Sequence, residues 1–401
     1  MYDSAHFISS KYTSGFIGFP MPSWYPDYPS WRQIRDYIRD FADAFGLRDR
    51  VTLGRGVTNA RPQGDSWLVT LDDGSERLYD GVLVCTGTNW NPRWVEFPGQ
   101  ESFTGTVRHS VGYRSPSEFH NKRVLIVGAG NSGVDIACDA ARNAVATFLS
   151  VRRGYRFVPK HIFGLPTDAV LSGTLPPPRG VSLAGDPNDL VDTLVGDLTR
   201  LGLPQPDHDV LQSHPIMNTQ ILHHLAHGDV IAKPDVASIE GQIVRFIDGS
   251  QECVDEIVLA TGYSFEVPFL HDVAIPWQDG RPDLYLRLFP RGIEGLAFVG
   301  FGEFADAAYQ RFEDMAHLVV MDIRLRELGD KRWAAWKQSD NPDLQGGRSY
   351  VDSPRHRGYL DIATYREYLA EIRDTFGWYD FAASDYDSMR VKEQPVLSRP
   401  T

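Results

Sequence analysis

Three cysteines in 401 residues (Cys85, Cys138 and Cys253) are too few and too scattered for a disulfide framework. No C-x-x-C pair occurs, which argues against a dithiol–disulfide reductase. No run approaches ~20 consecutive apolar residues, so no transmembrane helix is expected. The opening "MYDSAHFISSKY" lacks the basic and then apolar pattern of a secretory signal. Positive charge is in deficit, with 40 Lys and Arg against 53 Asp and Glu and a net charge of −13. That argues against nucleic acid or an anionic membrane as the main partner. A phosphate-bearing cofactor stays open, because a few local basic residues suffice for it. No solenoid repeat is present. The expected compartment is the cytoplasm.

What is present is ordinary for a globular chain, at 42% hydrophobic and 23% charged residues. The length allows two or three compact units. Residues 19–30, "FPMPSWYPDYPS", are too rich in proline for regular helix. Ser30 and Gln33 then form a capping-box pattern. Ile34, Tyr37, Ile38 and Phe41 follow at helical spacing, with Gly46 as the stop. Strands are expected at "RVTLG" (50–54), "SWLVTL" (66–71) and "GVLVCTG" (81–87). Further strands fit 146–151, 242–247, 255–260 and 295–301. Helices fit 188–201, 214–227, about 305 to 327, and 363–376.

The stretch "KRVLIVGAGNSGVDIA" (122–137) joins an apolar strand, a glycine turn and a helix start. It matches G-x-G-x-x-G at Gly128, Gly130 and Gly133. The first glycine allows the tight turn, the second lets backbone approach a pyrophosphate, and the third lets helix pack on strand. Amides at the helix start then face the phosphates. The motif alone is weak; the flanking strand and helix are the context it requires, against a fortuitous glycine turn. An NAD site wants an acidic residue at the end of the next strand. Arg152 and Arg153 stand there instead, which favours the 2′-phosphate of NADP(H). The alternative is a solvated surface pair.

Two segments echo each other: "YDGVLVCTG" (79–87) and "VDEIVLATG" (254–262), each an apolar strand that ends in Thr-Gly. A third pattern, "FTGTVRHSVGY" (103–113), fits F-x-G-x-x-x-H-x-x-x-Y with Phe103, Gly105, His109 and Tyr113. With "GAGNSG", the following "VDIA" and "LATGY", this resembles the flavin-containing monooxygenase family among the class B flavoprotein monooxygenases. The resemblance spans roughly residues 1–330. Tyr113 stands where the Baeyer–Villiger relatives carry Trp.

The resemblance implies an α/β two-dinucleotide flavoprotein fold, with a Rossmann-like NADP domain inserted in an FAD domain. The corresponding division is 1–118 and 236–330 for the FAD domain, 119–235 for the NADP domain, and 331–401 for a C-terminal helical extension. It implies an NADPH- and FAD-dependent monooxygenase that oxygenates an amine, a sulfide or a ketone through a flavin C4a-hydroperoxide. The cofactor carries the chemistry, so no side-chain nucleophile is expected. NADP contacts fall on Gly128, Gly130, Asn131, Ser132, Gly133, Asp135, Arg152 and Arg153. FAD contacts fall on Ser9, Val57, Thr86, Gly87, Thr261 and Gly262. The family carries an earlier glycine turn for FAD, so the chain is expected to lack an N-terminal βαβ unit of ~40–60 residues. Ile8 stands where the family places a flavin-proximal Asn, with Ser9 as the substitute. The expected partners are a small-molecule substrate and O2, with no nucleic acid and no membrane; a homodimer is left open. The alternative function is an NADP(H)-binding remnant without oxygenase activity.

Other patterns carry bland readings. His223 and His227 are spaced to bind a metal, but a capping or solvated role beside Gly228 is preferred, and no metal is expected. "RWAAWKQ" (332–338) reads as an amphipathic helix packed on the body.

Overall fold

The computed structural model describes residues 1–305, 307–353 and 355–391; the end of the expected C-terminal extension, 392–401, lies outside the described residues. The chain forms two compact units. The first contains residues 1–10, 28–31 and 89–264, and the second 11–27, 32–88 and 265–401.

The first unit is built on a parallel sheet of five strands: β1 (Thr106–His109), β2 (Arg123–Val127), β3 (Ala146–Ser150), β4 (Val230–Lys233) and β5 (Glu256–Leu259). Their order is β4-β3-β2-β5-β1, and every pairing is parallel. The strands read as continuous apolar runs because both faces are covered. Val124, Ile126, Leu149 and Val258 enter one core with α1 (Asn131–Ala141) and α2 (Gln220–His227). Their neighbours Leu125, Val127, Phe148, Ile257 and Leu259 enter a second core on the other face. That core is completed by an antiparallel meander over Val236–Glu240, Ile243–Phe246 and Gln251–Cys253. Residues 89–118 and 236–264, expected with a flavin domain, therefore assemble with the glycine turn, because β5 pairs with both β2 and β1.

The second unit holds a helix at Trp31–Ala44, ended by Gly46 at φ 60°. It also holds a meander over Val57–Gln63, Ser66–Leu71 and Glu76–Tyr79, and a parallel pair, Val82–Val84 with Leu296–Phe298. Trp67, Val69, Val84, Leu296 and Phe298 share one core. Helices α3 (Ala308–Glu327), α4 (Lys331–Ser339) and α5 (Ile362–Phe376) share another, with Trp333 buried and its indole N–H donated to Asp322.

Three expectations need correction. "RVTLG" is not a strand: Arg48–Arg50 make one 3₁₀ turn, Val51 and Leu53 are exposed, and strand pairing starts only at Val57. The helix expected over 188–201 is Pro187–Val195, stopped by Gly196 at φ 72°. The helix expected over 214–227 starts at Gln220, because the Asn218 side chain accepts the Ile221 N–H and closes the preceding turn.

Candidate functional site

The glycine turn lies at the end of β2. Gly128 sits at φ 103°, and a Cβ there would come 2.7 Å from the Ala260 carbonyl oxygen. Its N–H donates to the Ser150 carbonyl at 3.0 Å, which ties the turn to the end of β3. At Gly133 a Cβ would come 1.9 Å from the Gly128 oxygen, so only glycine lets α1 close on the turn. Gly130 differs: a Cβ there meets nothing within 4 Å. The backbone is tight on the protein side and open at the middle glycine, as a pyrophosphate cradle requires.

Arg152 and Arg153 follow β3. Arg152 is exposed, and Arg153 stacks over Tyr155 at 5.3 Å. Neither is in an ion pair among the described residues, whereas the nearby Arg156 is committed to Asp192 at 2.5 Å and to the His208 carbonyl. The two arginines thus retain donors for an incoming phosphate.

The polar atoms of Asn131 and Asp135 are engaged within the protein. The Asn131 amide donates to the Pro215 carbonyl and accepts from the Met217 N–H, holding the 215–217 loop to the start of α1. Asp135 accepts from the Asn218 amide at 2.7 Å and the Tyr2 hydroxyl at 3.0 Å, with Ser132 beside that hydroxyl. Burial raises the Asp135 pKa, and these two hydrogen bonds pull it back. One turn further along α1, Asp139 accepts from the Tyr113 and Ser4 hydroxyls at 2.9 and 2.5 Å. The i,i+4 pair Asp135 and Asp139 therefore clamps the N-terminal segment onto α1. The sequence reading missed Asp139, although its spacing from Asp135 was the available signal.

The same segment is held again at Ser10, whose N–H donates to Asp168 at 2.7 Å. Tyr28 donates to the Lys160 carbonyl, and the Lys160 ammonium lies 5.0 Å over the Tyr28 ring. Burial lowers the Lys160 pKa, opposed by Asp135. Ile8 packs on the apolar cluster of Val158, Val191, Val210 and Met217, which accounts for an apolar residue there. Ser9 is half-buried beside it.

The F-x-G-x-x-x-H-x-x-x-Y pattern resolves into packing and positioning. A Cβ on Gly105 would lie 2.2 Å from the Asp255 oxygen and against the Phe103 ring. His109 is 1% exposed; its Nδ1 accepts the Val111 N–H at 3.2 Å, so Nε2 carries the proton donated to the Gly262 carbonyl at 3.0 Å. The Arg93 N–H meets the same carbonyl at 2.9 Å, and the Thr261 hydroxyl donates to the Arg93 carbonyl. His109 thereby fixes the Thr261–Gly262 turn. Burial lowers its pKa, and the Gly262 contact partly restores it. Below an unfolded-state value of about 6.5 the unfolded chain takes up this proton first, so His109 costs stability as pH falls. Between pH 7 and pH 5 the wild-type protein is expected to lose more stability than His109→Gln, which keeps a donor but does not titrate. Parallel losses in urea unfolding would refute this.

In the first unit Gly262, at φ 82°, has open space where a Cβ would point. In the second unit Thr86 and Gly87 are exposed, and Gly87 at φ 70° is equally open. Val57 is exposed at the start of its strand. These positions suit close approach of a planar cofactor to backbone. One glycine-rich strand–turn–helix occurs among the described residues, the one at Gly128–Gly133. The described residues contain no group of three or more metal-ligating side chains, and the His223 and His227 rings lie against each other, 4.0 Å apart. No described helix is long and apolar enough to cross a membrane.

Fold and turn together define a dinucleotide-binding α/β oxidoreductase. Residues 1–321 match the family described as flavin-binding monooxygenase-like, and the chain belongs to that family. It is 33% identical to flavin-containing monooxygenase 5 of Homo sapiens over 404 residues, covering 93% of this chain and 73% of the relative. It is 30% identical to dimethylaniline monooxygenase [N-oxide-forming] 2 of Macaca mulatta, covering 90% and 72%. Among solved structures, an open form of cyclohexanone monooxygenase superposes with a TM-score of 0.68 at 16% identity, covering 94% of this chain and 89% of that one. S-allyl-L-cysteine S-oxygenase of Allium sativum superposes at 0.61 and 20% identity, covering 98% and 80%. The fold is accordingly the two-dinucleotide flavoprotein fold. The protein is a flavin-dependent monooxygenase whose cofactors are FAD and NADP(H).

Proposed function

We propose that the chain uses NADPH, in preference to NADH, to oxygenate a small soft nucleophile at nitrogen or sulfur, with ketones as a second substrate class. The observation that carries the nucleotide choice is the turn at Gly128–Gly133 with two arginines at the end of β3 that form no ion pair among the described residues. The nitrogen assignment draws support from the N-oxide-forming relative. When bound, the cofactors supply the hydride and the activation of O2. The chain supplies position. Amides at the start of α1 face the pyrophosphate, and Arg152 and Arg153 take the 2′-phosphate. Neutral His109 holds the Thr261–Gly262 turn, while Asp135, Asp139 and Asp168 fix the segment that carries Ile8 and Ser9.

A second reading, NADP(H) binding without oxygenase activity, draws on the apolar setting of Ile8. One experiment separates them. The purified protein is measured for bound flavin and for NADPH-dependent O2 uptake with an aliphatic amine, a thioether and a cyclic ketone. Bound flavin with oxygenated product supports the first reading; a colourless protein that still binds NADPH supports the second. In the double variant Arg152→Ala/Arg153→Ala, the preference for NADPH over NADH in binding is expected to fall by at least about tenfold. An unchanged preference would reject the arginine assignment.

A further inference from the structure

Residues 341–345 and Leu360 wall a cavity within the second unit. Its volume is 220 Å³. The facing wall is the hairpin that pairs Leu284 with Pro290 and Tyr285 with Phe289. The hairpin turn is unusual. Leu286 and Arg287 sit at φ 54° and 56°, and the Leu288 N–H closes the turn on the Tyr285 carbonyl. Two successive left-handed residues define a turn that normally takes Asn-Gly. Here it carries leucine and arginine, each held against its backbone preference.

The strain serves to place a cation. The Leu286 side chain is buried, and Arg287 Nε is buried with no hydrogen-bond partner among the described residues. One Arg287 terminal nitrogen reaches the Arg357 carbonyl at 3.4 Å, a weak contact. Burial lowers the Arg287 pKa, and Arg281 adds to that; the exposed Asp283 opposes both. Arg291 lines the same cavity, stacked 5.2 Å over Tyr285 and braced on the Lys337 carbonyl. Asp283 also lines the cavity and partly offsets Arg287, whereas Asp343 and Asp340 are occupied. Asp343 accepts the N–H groups of Gln345 and Gly347, and Asp340 accepts the Tyr285 hydroxyl. Leu284, Leu344 and Leu360, each at least nine-tenths buried, supply the apolar part of a lining that is otherwise largely polar.

We infer that this cavity binds a small organic carboxylate, its oxygens on the Arg287 and Arg291 guanidinium groups and its apolar body on Leu284, Leu344 and Leu360. A planar guanidinium matches a carboxylate edge, and the leucines disfavour a fully hydrated inorganic anion. The site is separate from the glycine turn, and its test does not depend on turnover.

The probe is hexanoate, titrated calorimetrically into the full chain, with hexan-1-ol and inorganic phosphate as controls. Hexanoate is expected to bind with a Kd of about 1 mM, and hexan-1-ol and phosphate at least tenfold more weakly. Arg291→Met is expected to weaken hexanoate at least tenfold. Arg287→Gly is expected to do the same while raising Tm by about 2 °C, because glycine accepts φ 56° without strain. A guanidinium with a purely structural role would instead lower Tm when removed. Equal binding of hexan-1-ol, tighter binding of phosphate, unchanged affinity in Arg291→Met, or a fall of Tm in Arg287→Gly would each overturn the inference.

Discussion

Gly130→Ala is expected to leave the fold intact and to abolish tight NADPH binding, whereas Gly133→Ala is expected to damage the fold itself. The two glycines are three residues apart in one motif, yet they act through different neighbours. At Gly130 the backbone lies at φ −70° and ψ 174°, which alanine adopts freely, and its Cβ would meet no protein atom within 4 Å. Stability should change by no more than about 0.5 kcal/mol. The added methyl occupies the space where the pyrophosphate must approach backbone, so NADPH affinity should fall on the order of 100-fold, or about 2.7 kcal/mol. At Gly133 the Cβ would lie 1.9 Å from the Gly128 carbonyl oxygen and 3.2 Å from the Ala260 methyl. The Gly128 turn is tied to the end of β3, and Ala260 follows β5 with its N–H on the Val127 carbonyl, so α1 must move away from the sheet. The cost should be on the order of 3 kcal/mol, with NADPH binding lost as a consequence. Urea unfolding and NADPH titration of both variants test the contrast. Equal stability losses, or full NADPH affinity in Gly130→Ala, would reject this division of labour.

The same contrast marks what the sequence made legible. The strand, turn and helix at 122–141 were readable because local rules agree there: an apolar run buried on both faces, glycines at fixed spacing and helical periodicity. The family resemblance was readable from the F-x-G-x-x-x-H-x-x-x-Y pattern, but the work of its residues was not. His109 gives no sign in one dimension that its partner is the carbonyl of Gly262, more than 150 residues on. Asn131 and Asp135 look like ligand contacts in the motif, yet their side chains bind Pro215, Met217, Asn218 and Tyr2. Those partners lie in loops whose path depends on tertiary packing. "RVTLG" failed for the opposite reason: its composition suits a strand, but among the described residues no strand pairs with it. The strained Leu286–Arg287 turn was invisible, since neither residue belongs to a turn vocabulary.

Glu256→Leu is expected to cost about 3–5 kcal/mol, a large fraction of the stability of a unit this size. Glu256 opens β5, an interior strand between β2 and β1, and is 1% exposed, which buries a carboxylate at the start of that strand. It is tolerated because two cations neutralise it: Lys122 at 2.7 Å and Arg108 Nε at 2.5 Å. Arg108 also pairs with Glu118 and lies 5.5 Å over the rings of both Tyr113 and Phe119. Removing Glu256 leaves Arg108 desolvated with only Glu118, and the uncompensated cation sets the penalty more than the lost attraction does. Two further variants isolate that cause. Glu256→Gln, which keeps shape and part of the hydrogen bonding, should lose less. Adding Arg108→Met to Glu256→Leu should restore part of the loss, giving a coupling energy above about 1 kcal/mol in a double-mutant cycle. Additive losses would mean that Glu256 acts by packing alone. The consequence reaches the functional site, because the Tyr113 ring on which Arg108 rests donates its hydroxyl to Asp139, and Asp139 holds Ser4. A charge pair at the start of β5 thus supports the clamp on the N-terminal segment. NADPH affinity in Glu256→Leu should drop even at temperatures where the variant remains folded.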